Sequence, residues 1–247
     1  MMLTHNSAPI PILTYHQIGP AAPKGSPFRS LSVDPKDFAR QMAWLNLLGY
    51  RGLSMSALTP YLTGAAKGRV FGITFDDGFT NNLENALPVL QRYGFSSTCY
   101  VVSQLIGKTN VWDHDVGIAS APLMSTQQLR TWVAGGQEIG AHTRHHVHLN
   151  ALDAQQAELE IAGCRAELQS VTSTDVAHFC YPYGEFSDAH TEMVQRAGYL
   201  TATTTQRGRC HRQAQLLQLP RAPVPRSVTR LALWLKVATD YEDKRGP

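Results

Sequence analysis

The sequence predicts an α/β protein, a closed and irregular parallel barrel in one domain, on three observations. Short β-rich runs alternate with amphipathic segments along the chain, the signature of βαβ units and a mostly parallel sheet. About seven such units follow one another across residues 1–247 without a linker or a shift in composition, so one domain is the economical organisation. No G-x-G-x-x-G fingerprint follows the first strand, which favours a closed barrel over an open doubly wound sheet.

Residues 10–16 (IPILTYH) form the first strand, an apolar run ending in polar groups. A loop rich in Gly, Pro and Ser covers 19–29. Residues 34–49 read as a helix: Asp34 caps its start, Pro35 sits just inside and Gly49 closes it. Phe38, Met42, Leu45 and Leu48 give that helix an apolar stripe. Residues 69–75 (RVFGITF) are a strand running straight into Asp76-Asp77-Gly78, and a helix over 82–94 should kink at Pro88 and stop at Gly94. Strands follow at 97–102, 138–142, 176–181, 199–204 and 216–219. Helices at 125–136, 153–169 and 187–198 separate them, and a last helix covers 227–241.

Apolar residues make up 43% of the 247, enough for a sizeable core without disulfide staples. Cys99, Cys164, Cys180 and Cys210 are far apart, with no C-x-x-C pair, and read as buried reduced thiols. The net charge of +3 is small and the Lys and Arg residues are scattered, which argues against nucleic acid as a partner. No stretch approaches the ~18 apolar residues of a membrane-spanning helix. The opening MMLTHNSAPIPILTYH lacks a basic n-region, an apolar h-region and a small-residue cleavage site. The chain therefore reads as cytoplasmic, or as periplasmic if a leader has been trimmed.

In a parallel barrel the C-terminal strand ends face the active site. Four of the strand ends are unusually polar: Tyr15-His16, Asp76-Asp77-Gly78, His142-Thr143-Arg144-His145-His146 and Tyr181-Pro182-Tyr183-Gly184. One at a time these are ordinary. An Asp pair before Gly is commonly a turn or a helix cap, and loop histidines are commonly solvated. Together, at strand ends of one parallel sheet, Asp, His and His supply a donor set suited to Zn²⁺ or a similar divalent ion with open positions. A second carboxylate beside the liganding one suits a general base for water that the ion acidifies toward ~7. Trp112, in VWDHD, is as much a candidate core aromatic as a cleft residue.

The motifs TFDDG at 74–78, H-T-x-x-H at 142–146 and YPYG at 181–184 together resemble the polysaccharide deacetylase family, carbohydrate esterase family 4. The opening PILTYH at 11–16 and LPR at 219–221 resemble a bacterial branch of it, and the likeness spans about 11–221. The resemblance implies a distorted (β/α)7 TIM-like barrel. It also implies metal-dependent hydrolysis of N-acetyl groups on an N-acetylglucosamine-type poly- or oligosaccharide. Asp76 would be the general base, and Asp77, His142 and His146 the ligands of a divalent metal, Zn²⁺ first, with Co²⁺, Ni²⁺ or Fe²⁺ as the other candidates. Tyr183, on the Pro182-Tyr183 turn, would lie in the cleft, with a backbone N–H of that turn on the oxyanion. Pro182 and Trp112 join it as substrate-binding candidates.

The sequence departs from the family pattern twice. The family's third motif usually begins with an Arg that orients the catalytic Asp. Cys180 stands there, and Arg221 is the candidate substitute. The family commonly carries an acid His in a late L-x-H motif, yet no His follows His211. A general acid is still needed, because an amide anion is too poor a leaving group; His16 and His114 are the candidates. Two alternative readings keep the fold: a hydrolase of non-sugar amides, and a glycan-binding pseudoenzyme. Trp112, Tyr183 and Phe186 favour a sugar, since flat rings stack on pyranose faces, and retention of Asp76 with all three ligands favours catalysis.

Overall fold

A computed structural model describes residues 8–212 and 214–246. The leader reading falls partly on residues 1–7, outside the described residues. The elements are, in chain order, β1 (Ile12–Tyr15), β2 (Gln17–Ile18), β3 (Ser32–Val33), α1 (Pro35–Leu47), β4 (Arg51–Leu53), α2 (Met55–Leu62), β5 (Val70–Phe75), α3 (Thr80–Asn85) and α4 (Leu87–Tyr93). There follow β6 (Thr98–Val101), α5 (Thr126–Ala134), β7 (Glu138–Ala141), α6 (Ala154–Thr172), β8 (His178–Cys180), α7 (Asp188–Arg196), β9 (Thr201–Arg207), β10 (Leu219–Pro223) and α8 (Arg230–Ala238).

Seven strands close into a parallel barrel in the order β1-β10-β9-β8-β7-β6-β5, with β5 returning to β1. β4 pairs with the lower half of β5, below the point where β6 joins it. The expected closed, distorted (β/α)7 barrel is therefore the architecture. Strand alternation sorts the side chains. Leu13, Tyr15, Phe71, Ile73, Phe75, Ile139 and Phe179 face outward into the core shared with the helices, where Trp132 of α5 meets Phe75 edge-on. The opposite parity fills the barrel. Tyr100 of β6 lies under the Arg221 guanidinium of β10, 5.9 Å from ring to charge, a contact between strands that are not neighbours. Gly140 of β7 makes room for it: a Cβ there would meet the Tyr100 ring at 2.5 Å. A polar plug closes the lower end, where His178 joins Thr201 Oγ1 (2.8 Å) and Ser56 Oγ (2.9 Å), and Ser56 and Thr98 donate to Glu138.

All the helices but α3 and α4 begin on side-chain caps. Asp34 accepts from Lys36 N at 2.9 Å, and Ser125, Asp153 and Ser187 each form a reciprocal capping box. The helix expected over 82–94 divides at Ala86, because Pro88 enters the first turn of α4 and ends the preceding ladder. β4 and α2 escaped the sequence reading: the strand has only three residues, and Pro60 interrupts the helical pattern. The strand expected at 216–219 is corrected to Leu219–Pro223. Pro220 and Pro223 argue against a strand there, but the register shifts between Leu219 and Arg221, so the ladder absorbs Pro220's missing N–H. Among the described residues, no helix is long and apolar enough to cross a membrane.

Candidate active site

The inward parity of the strands delivers the polar groups to the barrel's upper mouth. It runs 72-74-76 from β5, 138-140-142 from β7, 178-180 through β8 and 219-221 through β10, so Asp76, His142, Cys180 and Arg221 converge. Asp77 is out of phase and reaches the same point only through a left-handed backbone, φ +74°. Among the described residues six non-glycine positions have positive φ, and five of them, Phe28, Asp77, Thr143, His146 and Tyr183, belong to the cleft and its loops; the sixth, Ser173, ends α6. Each such residue costs of order 1–3 kcal/mol, strain that elsewhere in folds gathers where geometry serves a site.

Asp76 and Asp77 are both buried but are held differently. Arg221, itself 2% exposed, grips the Asp76 carboxylate through two bonds of 2.7 and 2.8 Å. Its remaining donors reach Thr204 O (2.8 Å), Thr74 Oγ1 (3.2 Å) and Cys180 Sγ (3.2 Å), so all five guanidinium N–H groups are used. Burial by itself would raise the Asp76 pKa; the charge and hydrogen bonds of Arg221, aided by His16 and His142, overcome it and hold the carboxyl below the usual range. Burial likewise pushes Asp77 up, and His146, His16 and His142 bring it well below the usual range.

Asp77 Oδ1 stands 3.5 Å from His142 Nε2 and 3.4 Å from His146 Nε2. Donors about 2.1 Å from one tetrahedral ion lie about 3.4 Å apart, so the spacing fits a shared divalent cation. The ring orientations fit as well. His142 Nδ1 donates to Cys180 O at 2.7 Å, which turns the lone pair of Nε2 toward Asp77. Burial lowers the His146 pKa against the pull of Asp77, favouring the neutral ring that can ligate.

Local bonds fix the loop carrying these ligands. Thr143 Oγ1 donates to His142 O (2.6 Å) and accepts from His146 N (3.0 Å). Glu160, nearly buried on α6, accepts from Arg144 N (2.8 Å) and His145 N (3.0 Å) and holds the His145 ring at 2.6 Å. Beyond β8 the chain turns tightly through Tyr183 at φ +59° into Gly184 at φ +73°. A Cβ on Gly184 would sit 1.9 Å from Thr205 Oγ1, so only glycine lets β9 pass this close.

A cleft of about 360 Å³ opens above these groups. His16, Asp76, Asp77, His142, His146 and Arg221 form its floor, and Trp112, Tyr183 and His148 its aromatic wall. Trp112 stacks on His146 (centroids 4.4 Å, 18°) and Tyr183 stacks on His148 (3.9 Å, 5°). His16 Nε2 lies 4.0 Å from Asp76 Oδ2, with its side chain 27% exposed. The structure brings together Asp76, Asp77, His16, His142, His146, Arg221, Trp112 and Tyr183, all anticipated as site residues. It does not bring in two others. Pro182 is buried beneath its turn and does not line the cleft, and His114 is 88% exposed beside Asp115, away from it. Sequence reasoning missed three residues. Asp113 lines the cleft, its carboxyl raised by burial against the Asn110 amide. His148 carries Tyr183, and Glu160 pins the ligand loop. His148 and Asp113 were close to motifs already noted, whereas nothing near Glu160 in the sequence marks its role.

Comparison with known proteins agrees with the geometry. The family model for polysaccharide deacetylases matches residues 63–202. YxkH of Bacillus subtilis (strain 168), named for the same family, is 30% identical over 223 residues, covering 90% of this chain and 73% of its own. The poly-beta-1,6-N-acetyl-D-glucosamine N-deacetylase of Staphylococcus epidermidis is 26% identical over 204 residues, covering 78% of this chain and 68% of its own. Among solved structures, the Streptococcus pyogenes deacetylase PplD superposes with a TM-score of 0.82 at 23% identity, covering 94% of this chain and 99% of its own, a likeness of fold. The chain belongs to the polysaccharide deacetylase family and is a hydrolase of amide bonds.

Proposed function

We propose that the protein is a metal-dependent N-deacetylase of a poly- or oligosaccharide built on N-acetylglucosamine-type sugars. One observation carries the proposal: an Asp77–His142–His146 donor set lies beside a separate buried carboxylate, Asp76, at the floor of an aromatic-walled cleft. The name of the staphylococcal relative supports an amino-sugar polymer as substrate. Trp112 and Tyr183 offer the flat apolar faces that stack on pyranose rings.

Asp77, His142 and His146 would hold the cation. When bound, a divalent ion such as Zn²⁺ polarises the acetamide carbonyl and acidifies water. Asp76 takes the proton from the attacking water as the new C–O bond forms; its charged form is kept available by Arg221. The N–H groups of Gly184 and Glu185 are occupied by Tyr181 O (3.0 Å) and Pro182 O (3.1 Å), which leaves the Tyr183 N–H to donate to the developing oxyanion. His16, beside Asp76, gives the proton that the departing amine nitrogen needs as the C–N bond breaks, yielding acetate and the free amine.

The test is acetate release from N-acetylglucosamine oligomers by metal-stripped protein, before and after Zn²⁺ or Co²⁺. Release restored by metal and abolished in Asp76→Asn is the expected result. No release with either metal, with oligomer binding retained, would replace hydrolysis by glycan binding. Loss of both would move the substrate to a non-sugar amide.

A further inference from the structure

His16 divides the barrel mouth in two. On one side lies the cleft over Asp76 and Asp77; on the other, bounded by the ends of β1, β9 and β10 and by α8, lies a second pocket of about 330 Å³. The two share His16 and Leu31, so a chain of sugars in the first would continue into the second.

The chemistry of this second pocket differs from that of the cleft. Arg207, Lys236 and Arg245 line it, and the only carboxylate engaging them among the described residues is the buried Glu242. Glu242 accepts a bond of 2.9 Å from Arg207 Nε, whose Nη2 lies 2.8 Å from the same oxygen, and another bond from Lys236. The nearby Asp240 and Asp243 are taken by Lys244 (2.9 Å) and Arg209 (2.6 Å). Three cations against one carboxylate leave the pocket positive, and a partly enclosed wall strengthens such a charge. The pocket is also lined by the apolar Pro223, Val224 and Pro225 and by Tyr241, whose ring lies 4.3 Å from the Arg245 guanidinium and 5.7 Å from Lys236 Nζ.

We propose that the second pocket is a subsite for a carboxylate-bearing sugar, a uronic-acid type residue next to the N-acetylated one in the polymer. The apolar residues take the ring face, and Arg245 with Arg207 takes the carboxylate. The volume holds about one such residue, so the subsite reads a single neighbour rather than the polymer's overall charge. This inference rests on reading the cleft as a sugar site, and it makes the preferred substrate an acidic heteropolymer.

The test measures binding by calorimetry to the full chain, with chelator present to suppress turnover. One ligand is a tetrasaccharide alternating N-acetylglucosamine with glucuronic acid, the other the neutral N-acetylglucosamine tetramer. The acidic ligand should bind at least tenfold more tightly. Arg245→Gln, at an exposed position, should abolish the preference. Arg130→Gln, on α5, should leave it unchanged. Equal or weaker binding of the acidic ligand, or a preference unaltered by Arg245→Gln, would overturn the subsite. Acetate release is read separately: acidic preference without release would sink the deacetylase reading and leave the subsite, whereas release without preference would do the reverse.

Discussion

Replacing Arg221 with methionine tests the electrostatic account of the site most directly. The side chain is 2% exposed and saturates five donors, two of them on Asp76, so methionine fills much of its volume but leaves a buried carboxylate unpaired. Breaking a buried ion pair by removing one partner costs about 3–5 kcal/mol. For a chain of this size that corresponds to a fall of roughly 6–20 °C in Tm. The cost depends on pH with a defined sign. In the wild type the folded Asp76 pKa lies below its unfolded value, so its stabilisation is present above the unfolded pKa and lost as pH falls through the folded one. In Arg221→Met burial is opposed only by His16 and His142, so the folded pKa rises and the stabilisation gained above it shrinks. The gap in Tm should therefore be widest near neutrality and narrow toward acid. Activity should follow, the acid limb of kcat/KM moving to higher pH than in the wild type. Thermal melts of metal-stripped protein at several pH values, with a pH–rate profile of the metal-loaded form, measure both. Adding Asp76→Asn to Arg221→Met should recover part of the lost stability, because the uncompensated charge disappears. A loss under about 1 kcal/mol, or a double variant no more stable than the single, would refute the reasoning.

Four further outcomes are expected. Zn²⁺ should raise the Tm of wild-type protein in a concentration-dependent way, and Asp77→Asn should remove that response, as thermal shift will show. Glu160→Gln removes the charge that gathers Arg144 N, His145 N and the His145 ring; zinc affinity by chelator competition should fall about 10-fold or more, whereas Glu167→Gln should leave it unchanged. Gly184→Ala puts a Cβ against Thr205 at φ +73° and should cost at least about 2 kcal/mol in denaturant unfolding, with Thr205→Gly restoring only part of it because the backbone strain persists. His16→Asn should lower kcat about 10²-fold or more on an N-acetyl sugar but leave hydrolysis of an acetate ester of an acidic phenol nearly intact, since that leaving group needs no proton.

Local sequence determined most of the fold and most of the site's membership. The alternation of β-rich runs and capped amphipathic segments implied a parallel barrel, since each element's apolar face must be covered by its neighbour. Polar runs at strand ends marked Asp76, Asp77, His142, His146 and Tyr183, because period-two alternation and the parallel arrangement send those positions to one mouth. Where the pattern was too short or broken by proline, at β4, α2 and the start of β10, the backbone's choice rested on long-range pairing that no local window contains. The same limit explains the site's hidden parts. Glu160 is a helix residue like any other until α6 packs beside the ligand loop, and Arg221, a candidate only through the family resemblance, meets Asp76 across 145 positions of chain. Pairing at such separations is decided by barrel closure, which sets which inward side chains share the interior, and so only the tertiary structure could decide how Asp76 is held, which half of the mouth carries positive charge, and that His16 stands between them.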